Sequence, residues 1–153
     1  MKIATLAIIV KDGKVLLGNK KKGEIGKGTM NGPGGKVEEG ESLVECLVRE
    51  TREELGIELD PAGLTETAVI TFHVDGTPDF KVHVFLTGAF SGTPVETDDM
   101  IPGWYDIDSL PLDRMLESDR EWFSKTAKGE KFRANAYYRK RASDFDRIEF
   151  FPF

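Results

Sequence analysis

The chain has 153 residues, of which 39% are hydrophobic, and 27 acidic residues against 21 lysines and arginines give a formal net charge of −6. That length and apolar content suit a single compact domain, predicted to span residues 1–153. The acidic balance argues against binding of long nucleic acid, which needs a basic face. A small anionic ligand remains compatible, because metal ions can supply the missing positive charge.

The cysteine content and the apolar runs indicate where the protein resides. The chain has one cysteine, Cys46, which excludes an internal disulfide and a cysteine-rich metal site. We interpret Cys46 as a small buried residue. The longest apolar run near the start, Leu6 to Val10, is too short for a membrane span and lacks the layout of a signal peptide. These features predict a cytoplasmic protein with no membrane partner.

The first predicted element is a β-hairpin. Two β-rich runs, Lys2–Val10 and Lys14–Leu17, flank an Asp12-Gly13 pair that is typical of a tight hairpin turn. Residues 23–35 then contain six glycines and one proline, a composition that indicates a loop and not a regular element.

A long helix is predicted next, from Ser42 to Leu55, with Gly56 as its stop and with Ser42 and Glu45 forming a capping box. Later β-rich segments predict strands at residues 67–73, 82–90, 103–107, 132–139 and 147–151. A second helix is predicted over residues 118–128, capped by Ser118 or Asp119. Helices packed against a mixed sheet in this way indicate an α+β fold, layered as an α/β/α sandwich.

Two glutamates lie inside the apolar face of the first helix. At about 100° per residue, Glu50 and Glu54 project among Leu43, Cys46 and Leu47, where the pattern calls for apolar side chains. Carboxylates on the packing face of a helix need a compensating partner, because burying an unpaired charge is costly.

Glu53 lies at the edge of the same face, so Glu50, Glu53 and Glu54 are neighbours at i, i+3 and i+4. Like charges crowded on a half-buried face are unfavourable unless protons or cations intervene. Mg²⁺ binds one or two carboxylates and shares its other positions with waters and substrate phosphates. The alternative is a solvated helix that pairs these carboxylates with Arg49 and Arg52, and the inward placement argues against it.

The segment from Gly35 to Ile57 resembles the Nudix box. The box has the form G-x5-E-x7-R-E-U-x-E-E-x-G-U, with U aliphatic, and it is matched by Gly35, Glu41, Arg49, Glu50, Glu53, Glu54, Gly56 and Ile57. The departure is Thr51, on the packing side of the helix, where an aliphatic residue is usual. The resemblance extends over nearly the whole chain to the MutT-like purine nucleoside triphosphatases of this family, through segments such as MNGPGGKVEEGE and GTPVETDDMIPGWYDIDSLP.

The resemblance implies a loop–helix–loop that holds Mg²⁺, or Mn²⁺ in its place, against a diphosphate. The metal-binding set falls on Gly35, Glu50, Glu53, Glu54 and Asp99, where Asp99 stands at a glutamate position of the family. Glu50 or Glu53 is expected to be catalytic, as the general base for the attacking water.

Other residues are expected to support this site. The resemblance implies that Glu41 and Arg49 orient the loop and the helix by pairing with each other or with their neighbours. Lys20 and Lys36 are expected to contact phosphate. For residues 20–22 the alternative is an ordinary solvated charge run.

The resemblance also places a nucleobase pocket at Asn31, Phe72, Leu116, Asp119 and Trp122. The amide of Asn31 can both donate to and accept from a purine edge, although a turn-forming role is its alternative. Phe72 and Trp122 are expected as pocket walls, with core packing as their alternative. The oxidised-purine enzymes of the family read the base with two adjacent aspartates and stack an indole nearby. Here those positions hold Ser118, Asp119 and Leu116, and the missing second carboxyl at Ser118 predicts a weaker or narrower preference for an oxidised base.

The function implied is a Mg²⁺-dependent pyrophosphohydrolase that converts a purine nucleoside triphosphate such as 8-oxo-dGTP to its monophosphate and pyrophosphate, and so cleans the nucleotide pool. A second interpretation keeps the metal chemistry but changes the substrate to another nucleotide, a dinucleotide, ADP-ribose or an RNA 5′ end. A third is a non-catalytic nucleotide sensor, which the complete set of box glutamates argues against. The protein is expected to work as a monomer or a homodimer.

Overall fold

A computed structural model describes residues 1–23 and 26–153. Its strands are β1 (Lys2–Lys11), β2 (Lys14–Lys20), β3 (Met30–Asn31), β4 (Gly34–Lys36), β5 (Glu58–Leu59), β6 (Thr65–Val74), β7 (Thr77–Thr87), β8 (Phe90–Ser91), β9 (Met100–Asp106), β10 (Phe132–Lys140) and β11 (Ser143–Phe151). Its α-helices are α1 (Leu43–Leu55) and α2 (Asp119–Ala127). No helix in this part of the chain is long and apolar enough to cross a membrane.

The strands form a large mixed sheet. Its order is β11-β10-β6-β7-β1-β2-β3, with β4 paired to β1 and β9 paired to β2. β1 runs parallel to β7 and antiparallel to β2 and β4, and β6 runs parallel to β10. β5 and β8 pair separately. The predicted mixed sheet is confirmed.

Alternation along the central strands separates two apolar cores. Leu6 of β1 belongs to a core that contains Trp122 of α2, whereas the next residue, Ala7, belongs to a core that contains Leu47 of α1. Successive side chains of a strand point to opposite faces, so the two helices cover opposite faces of the sheet. This arrangement confirms the predicted α/β/α layering.

Three local predictions are confirmed, one at the hairpin and two at the ends of α1. Asp12 and Gly13 both have positive φ, 52° and 75°, as the two-residue turn requires. The Ser42 side chain accepts from the Glu45 N–H, while the Glu45 carboxylate accepts from the Ser42 N–H. Gly56 ends the helix in the left-handed region, at φ 72°.

The prediction of a loop over residues 23–35 is wrong in part. β3 lies within this range and β4 begins at Gly34, while Glu24 and Ile25 lie outside the described residues. Glycine is needed here for close approach to β1, because a Cβ at Gly34 would lie 2.0 Å from the Thr5 carbonyl oxygen. Glycines therefore mark tight strand pairing at this position, which composition alone cannot distinguish from a turn.

Two further predictions need correction. The strand predicted over residues 82–90 begins earlier, at Thr77, and ends at Thr87. Neither Ser118 nor Asp119 caps α2 through its side chain: Ser118 occupies the cap position in a helical conformation and makes no cap hydrogen bond, while Asp119 is already the first helical residue. Both side chains form other buried contacts, described below.

Candidate functional site

A cavity of about 440 Å³ is lined by segments from across the chain, and its size suits a small-molecule ligand. Every residue predicted to contact metal, phosphate or base lines it. We call one set of lining residues the acidic wall: Glu50, Glu53, Glu54 and Asp99. We call the other set the apolar wall: Asn31, Phe72, Leu116, Asp119 and Trp122.

Helix α1 supplies three carboxylates of the acidic wall. Glu54 is buried, and its Oε1 accepts from the Gly34 N–H at 2.7 Å. The pKa of Glu54 is raised to about 7, chiefly by burial and also by the negative charges of Glu50 and Asp99, while the Gly34 N–H opposes the shift. Glu50 is partly buried and Glu53 is exposed, with side-chain exposures of 19% and 53%. The inward placement expected from the sequence is thus present for Glu50 and Glu54.

Gly35 brings the backbone of β4 against Glu50. A Cβ at Gly35 would lie 2.5 Å from the Glu50 carboxyl carbon, so a side chain there would displace the carboxylate. Burial raises the pKa of Glu50 above its ordinary value, while Arg49 lowers it. The backbone of Gly35 and a half-buried carboxylate are therefore packed against each other, and the Gly35 carbonyl accepts from the Cys46 thiol at 3.5 Å. Oxygen atoms of both kinds are ligands that hard cations prefer.

Arg49 organises the outer side of the acidic wall. Its Nε and Nη2 donate to the two oxygens of Glu41 at 2.7 and 3.0 Å, a bidentate pair. This contact lowers the pKa of Glu41 to about 2. Nη1 of Arg49 donates to Glu50 at 2.9 Å and to Glu53 at 3.4 Å. The predicted pairing of Glu41 with Arg49 is present, and it also positions two carboxylates of the wall.

Thr97 fixes Asp99 relative to α1. The Thr97 hydroxyl donates to the Glu54 carbonyl at 2.8 Å and accepts from the Asp99 N–H at 3.1 Å. The Asp99 carboxylate pairs with the Lys22 ammonium at 2.9 Å. Sequence reasoning missed Thr97, because a threonine in a polar loop carries no signal until its partners are known.

The donor set of the acidic wall fits a divalent cation. Carboxylates and a backbone carbonyl are the ligands that hard cations prefer. The pKa values of Glu50 and Glu54 are raised mainly by burial and to a lesser extent by the neighbouring carboxylates. In residues 1–23 and 26–153, no three Asp, Glu, His or Cys side chains converge into a ready-made ion site. Arg49 contacts Glu50, and Lys22 contacts Asp99.

Lysines lie beside the acidic wall. Lys20, Lys22 and Lys36 line the cavity, and phosphate contact by Lys20 and Lys36 stays a prediction. The Lys21 ammonium instead donates to the Glu96 carboxylate and to the Thr97 carbonyl, at 2.6 and 2.8 Å. Positive side chains next to an acidic wall can bind an anionic ligand while that wall binds a cation.

The apolar wall contains a buried carboxyl. Asp119 is 1% exposed, and its Oδ1 accepts from the Trp122 indole N–H at 3.0 Å and from the Ser118 hydroxyl at 3.3 Å. Burial raises the pKa of Asp119 to about 7, against the effect of these two donors. A carboxyl in this environment can donate a proton when neutral and accept when ionised.

The rest of this wall comes from the sheet. Asn31 of β3 lines the cavity, and its Oδ1 accepts from the Gly32 N–H at 2.8 Å. Phe72 of β6 lies opposite Phe80 of β7 in the register. Phe80 and Val82 also line the cavity, and the sequence reasoning missed them. Their spacing of two residues was the available signal, since alternate residues of a strand share one face.

Comparison with known proteins adds independent information. Residues 1–126 match the NUDIX domain. Oxidized purine nucleoside triphosphate hydrolases from Danio rerio and Mus musculus are 39% and 36% identical over 132 residues, covering 86% of this chain and 83% of each relative. A MutT protein from Bacillus halodurans has the same fold, with a TM-score of 0.83 at 21% identity over 98% of this chain and 97% of that one.

Proposed function

The chain belongs to the Nudix hydrolase family, and on that basis we propose that it hydrolyses purine nucleoside triphosphates, including oxidised ones such as 8-oxo-dGTP, to the monophosphate and pyrophosphate. Removal of oxidised nucleotides from the pool is the role that this reaction supports. Two relatives, similar over most of their length, are named for oxidised purine nucleoside triphosphates, which favours this substrate class.

One observation carries the proposal: a single cavity joins an acidic wall to an apolar wall with a buried carboxyl. Phosphates paired with a cation suit the acidic wall and its neighbouring lysines. A flat heterocycle suits the apolar wall, where Asp119 and Asn31 would hydrogen-bond its edge between Phe72, Leu116 and Trp122.

Nudix hydrolases generally need a divalent metal, and we propose Mg²⁺, with Mn²⁺ as a substitute. The Gly35 carbonyl and the carboxylates of Glu50, Glu53, Glu54 and Asp99 would hold it. When bound, such an ion offsets phosphate charge and lowers the pKa of a coordinated water.

The chain's own residues would divide the remaining work. Lys20 and Lys36 would bind phosphate oxygens. Glu50 or Glu53 would accept the proton of the attacking water, and the exposed side chain of Glu53 has the freer access to solvent. Arg49, fixed by Glu41, would hold both carboxylates in place.

The proposal extends to the organisation of the chain. β10 and β11 lie beyond the matched residues 1–126 but belong to the same sheet as β1, which supports one domain over residues 1–153. We propose the cytoplasm as its compartment, where its free, buried Cys46 would stay reduced, and a monomer or homodimer as its working form.

A substrate screen tests the proposal. The kcat/KM values of canonical and oxidised purine and pyrimidine triphosphates, dinucleotides and ADP-ribose would be compared, with pyrophosphate and phosphate measured separately. We expect the highest value for a purine triphosphate, with pyrophosphate as product, and none in excess chelator. A higher value for a dinucleotide or a pyrimidine would replace the proposed substrate class.

A binding readout tests the metal independently of turnover. Millimolar Mg²⁺ should raise the melting temperature relative to chelator, because the ion binds the folded acidic wall. Glu53→Gln should reduce that increase. An equal melting temperature in both buffers would contradict the proposed metal site.

A further inference from the structure

A hydrogen-bonded chain of three side chains leads from the last part of the sheet to the apolar wall. Tyr138 of β10 is buried, and its hydroxyl donates to the Ser118 hydroxyl at 2.7 Å. The Ser118 backbone N–H donates back to the Tyr138 oxygen at 3.0 Å. Ser118 in turn donates to Oδ1 of Asp119 at 3.3 Å.

The direction of this chain determines where a proton on Asp119 can lie. The proton of Tyr138 is committed to Ser118, so the Ser118 proton is directed to Oδ1 of Asp119. The Trp122 indole N–H, which can only donate, points at the same oxygen. Oδ1 therefore accepts twice, and the proton of a neutral Asp119 is left to Oδ2.

Oδ2 is also the atom available to a ligand. Residues 1–23 and 26–153 supply no hydrogen bond to it, whereas Asp119 lines the cavity and is almost fully buried. Burial raises the pKa of Asp119 to about 7, so the neutral carboxyl is well populated near neutral pH. A buried donor left without a partner discriminates strongly among ligands.

We propose that Tyr138 is a positioning residue for base selection: acting through Ser118, it keeps the Asp119 proton on Oδ2 and so presents a hydrogen-bond donor to the cavity. The ligand selected is a purine with an acceptor at that edge, which favours guanine-type bases, with O6, over adenine-type bases, with an amino group in the same place. This inference rests on the proposed function. In this inference Ser118 and Tyr138 determine which oxygen of Asp119 carries the proton. In the two-aspartate enzymes of the family, a second carboxyl stands at the position of Ser118.

The kinetic test removes one hydroxyl. Tyr138→Phe keeps the ring that packs on Phe145, 5.1 Å between centroids, but frees Ser118 to accept from Asp119, so that Oδ2 can act as an acceptor. The ratio of kcat/KM for 8-oxo-dGTP to that for 8-oxo-dATP should fall by about tenfold, the value of one buried hydrogen bond. Ser118→Ala should lower it similarly. The matched control is Tyr137→Phe, at the adjacent tyrosine on the other face of β10.

A double-mutant cycle separates positioning from packing. In an Asp119→Asn background, Tyr138→Phe should change the ratio less than twofold, because its effect passes through the carboxyl. An equal change in both backgrounds would show that Tyr138 merely supports the wall. An unchanged ratio in both Tyr138→Phe and Ser118→Ala would overturn the proposal.

A spectroscopic readout makes the result independent of turnover. The chain has two tryptophans, so ¹⁵N-labelled protein gives two indole N–H signals. Tyr138→Phe should shift the Trp122 signal, which reports on Oδ1 of Asp119, and leave Trp104 in place. Tyr137→Phe should shift neither. Should the wild type hydrolyse no purine triphosphate, the proposed function fails, yet an unmoved Trp122 signal is what would refute the positioning role.

Discussion

The two walls of the cavity are built in different ways. The acidic wall draws three of its four carboxylates, Glu50, Glu53 and Glu54, from one short stretch of α1. Arg49 holds Glu50 and Glu53, and the Gly34 N–H holds Glu54. The apolar wall draws one or two residues from each of four separated segments: β3, β6, Leu116 and α2. A chemical step common to many substrates can be encoded in one contiguous motif, whereas recognition of one ligand depends on contacts between distant segments.

The largest expected effect is the loss of activity when a carboxylate of the acidic wall is neutralised. Glu54→Gln keeps an oxygen that can accept from the Gly34 N–H, so the fold should persist. Loss of the charge should lower kcat/KM by about 10²- to 10³-fold for every substrate alike, as for removal of a preorganised electrostatic group. Steady-state pyrophosphate release measures it.

The control for that variant is Glu39→Gln, at an exposed position between β4 and α1. It should retain wild-type turnover. A Glu54→Gln enzyme that lost activity on one base but not on another would contradict the division between the walls.

The next effect concerns stability at the apolar wall. The pKa of Asp119 is raised to about 7, whereas an unfolded aspartate has a pKa near 4. The folded state therefore favours the protonated form, so this contribution is complete below about pH 4 and is lost as the pH rises through about 7. Between pH 5 and pH 7 the stability of the wild type should fall by about 2 kcal/mol relative to Asp119→Asn.

Urea unfolding of both proteins in metal-free buffer at a series of pH values measures that difference. Because Glu54 is present in both, its own raised pKa cancels. Asp113→Asn, at an exposed position just before α2, serves as the control and should show the wild-type pH profile. Parallel profiles for wild type and Asp119→Asn would mean that Asp119 is ionised in the fold at pH 5.

A smaller effect is expected on the order in which purine triphosphates are preferred as substrates when Asp119 is replaced. Asn at position 119 offers a permanent donor and a permanent acceptor, so Asp119→Asn should change the relative kcat/KM of purine triphosphates by about tenfold. Unlike Glu54→Gln, it should alter the order of substrates and not lower all values together. An unaltered order would place base recognition on residues other than Asp119.

The contrast between the walls also explains what the sequence could predict. Within α1 the capping box, the Gly56 stop and the inward Glu50 and Glu54 follow from local spacing, and all are present. Thr97 contacts the Glu54 carbonyl, so its role depends on a partner far along the chain and no local pattern reveals it. Alternation along β7 puts Phe80 and Val82 on one face, but it does not show that this face lines the cavity.

Ser118 also shows that local sequence cannot predict a contact with a distant residue. A serine before a helix is a good cap by local statistics, but its hydroxyl is bonded to Tyr138, 20 residues away. The loop predicted at Gly34 was wrong for a related reason. Glycine is needed there because β1 lies too close for a side chain, and not because the chain turns. Long-range contacts decided both positions.

The smallest effect concerns Thr51, the departure from the Nudix box. Thr51 is fully buried on the packing face of α1, and its hydroxyl has no hydrogen-bond partner in the described part of the chain. Thr51→Val should therefore raise the free energy of unfolding by about 1 kcal/mol and leave kcat/KM unchanged, because Thr51 is not among the residues that line the cavity. The matched control is Thr126→Val, whose hydroxyl donates to the Phe123 carbonyl at 2.9 Å, and which should lose about 1 kcal/mol. If Thr51→Val were as destabilising as Thr126→Val, the Thr51 hydroxyl would have a partner after all. If it altered kcat/KM, the packing around Thr51 would be coupled to the carboxylates of the acidic wall.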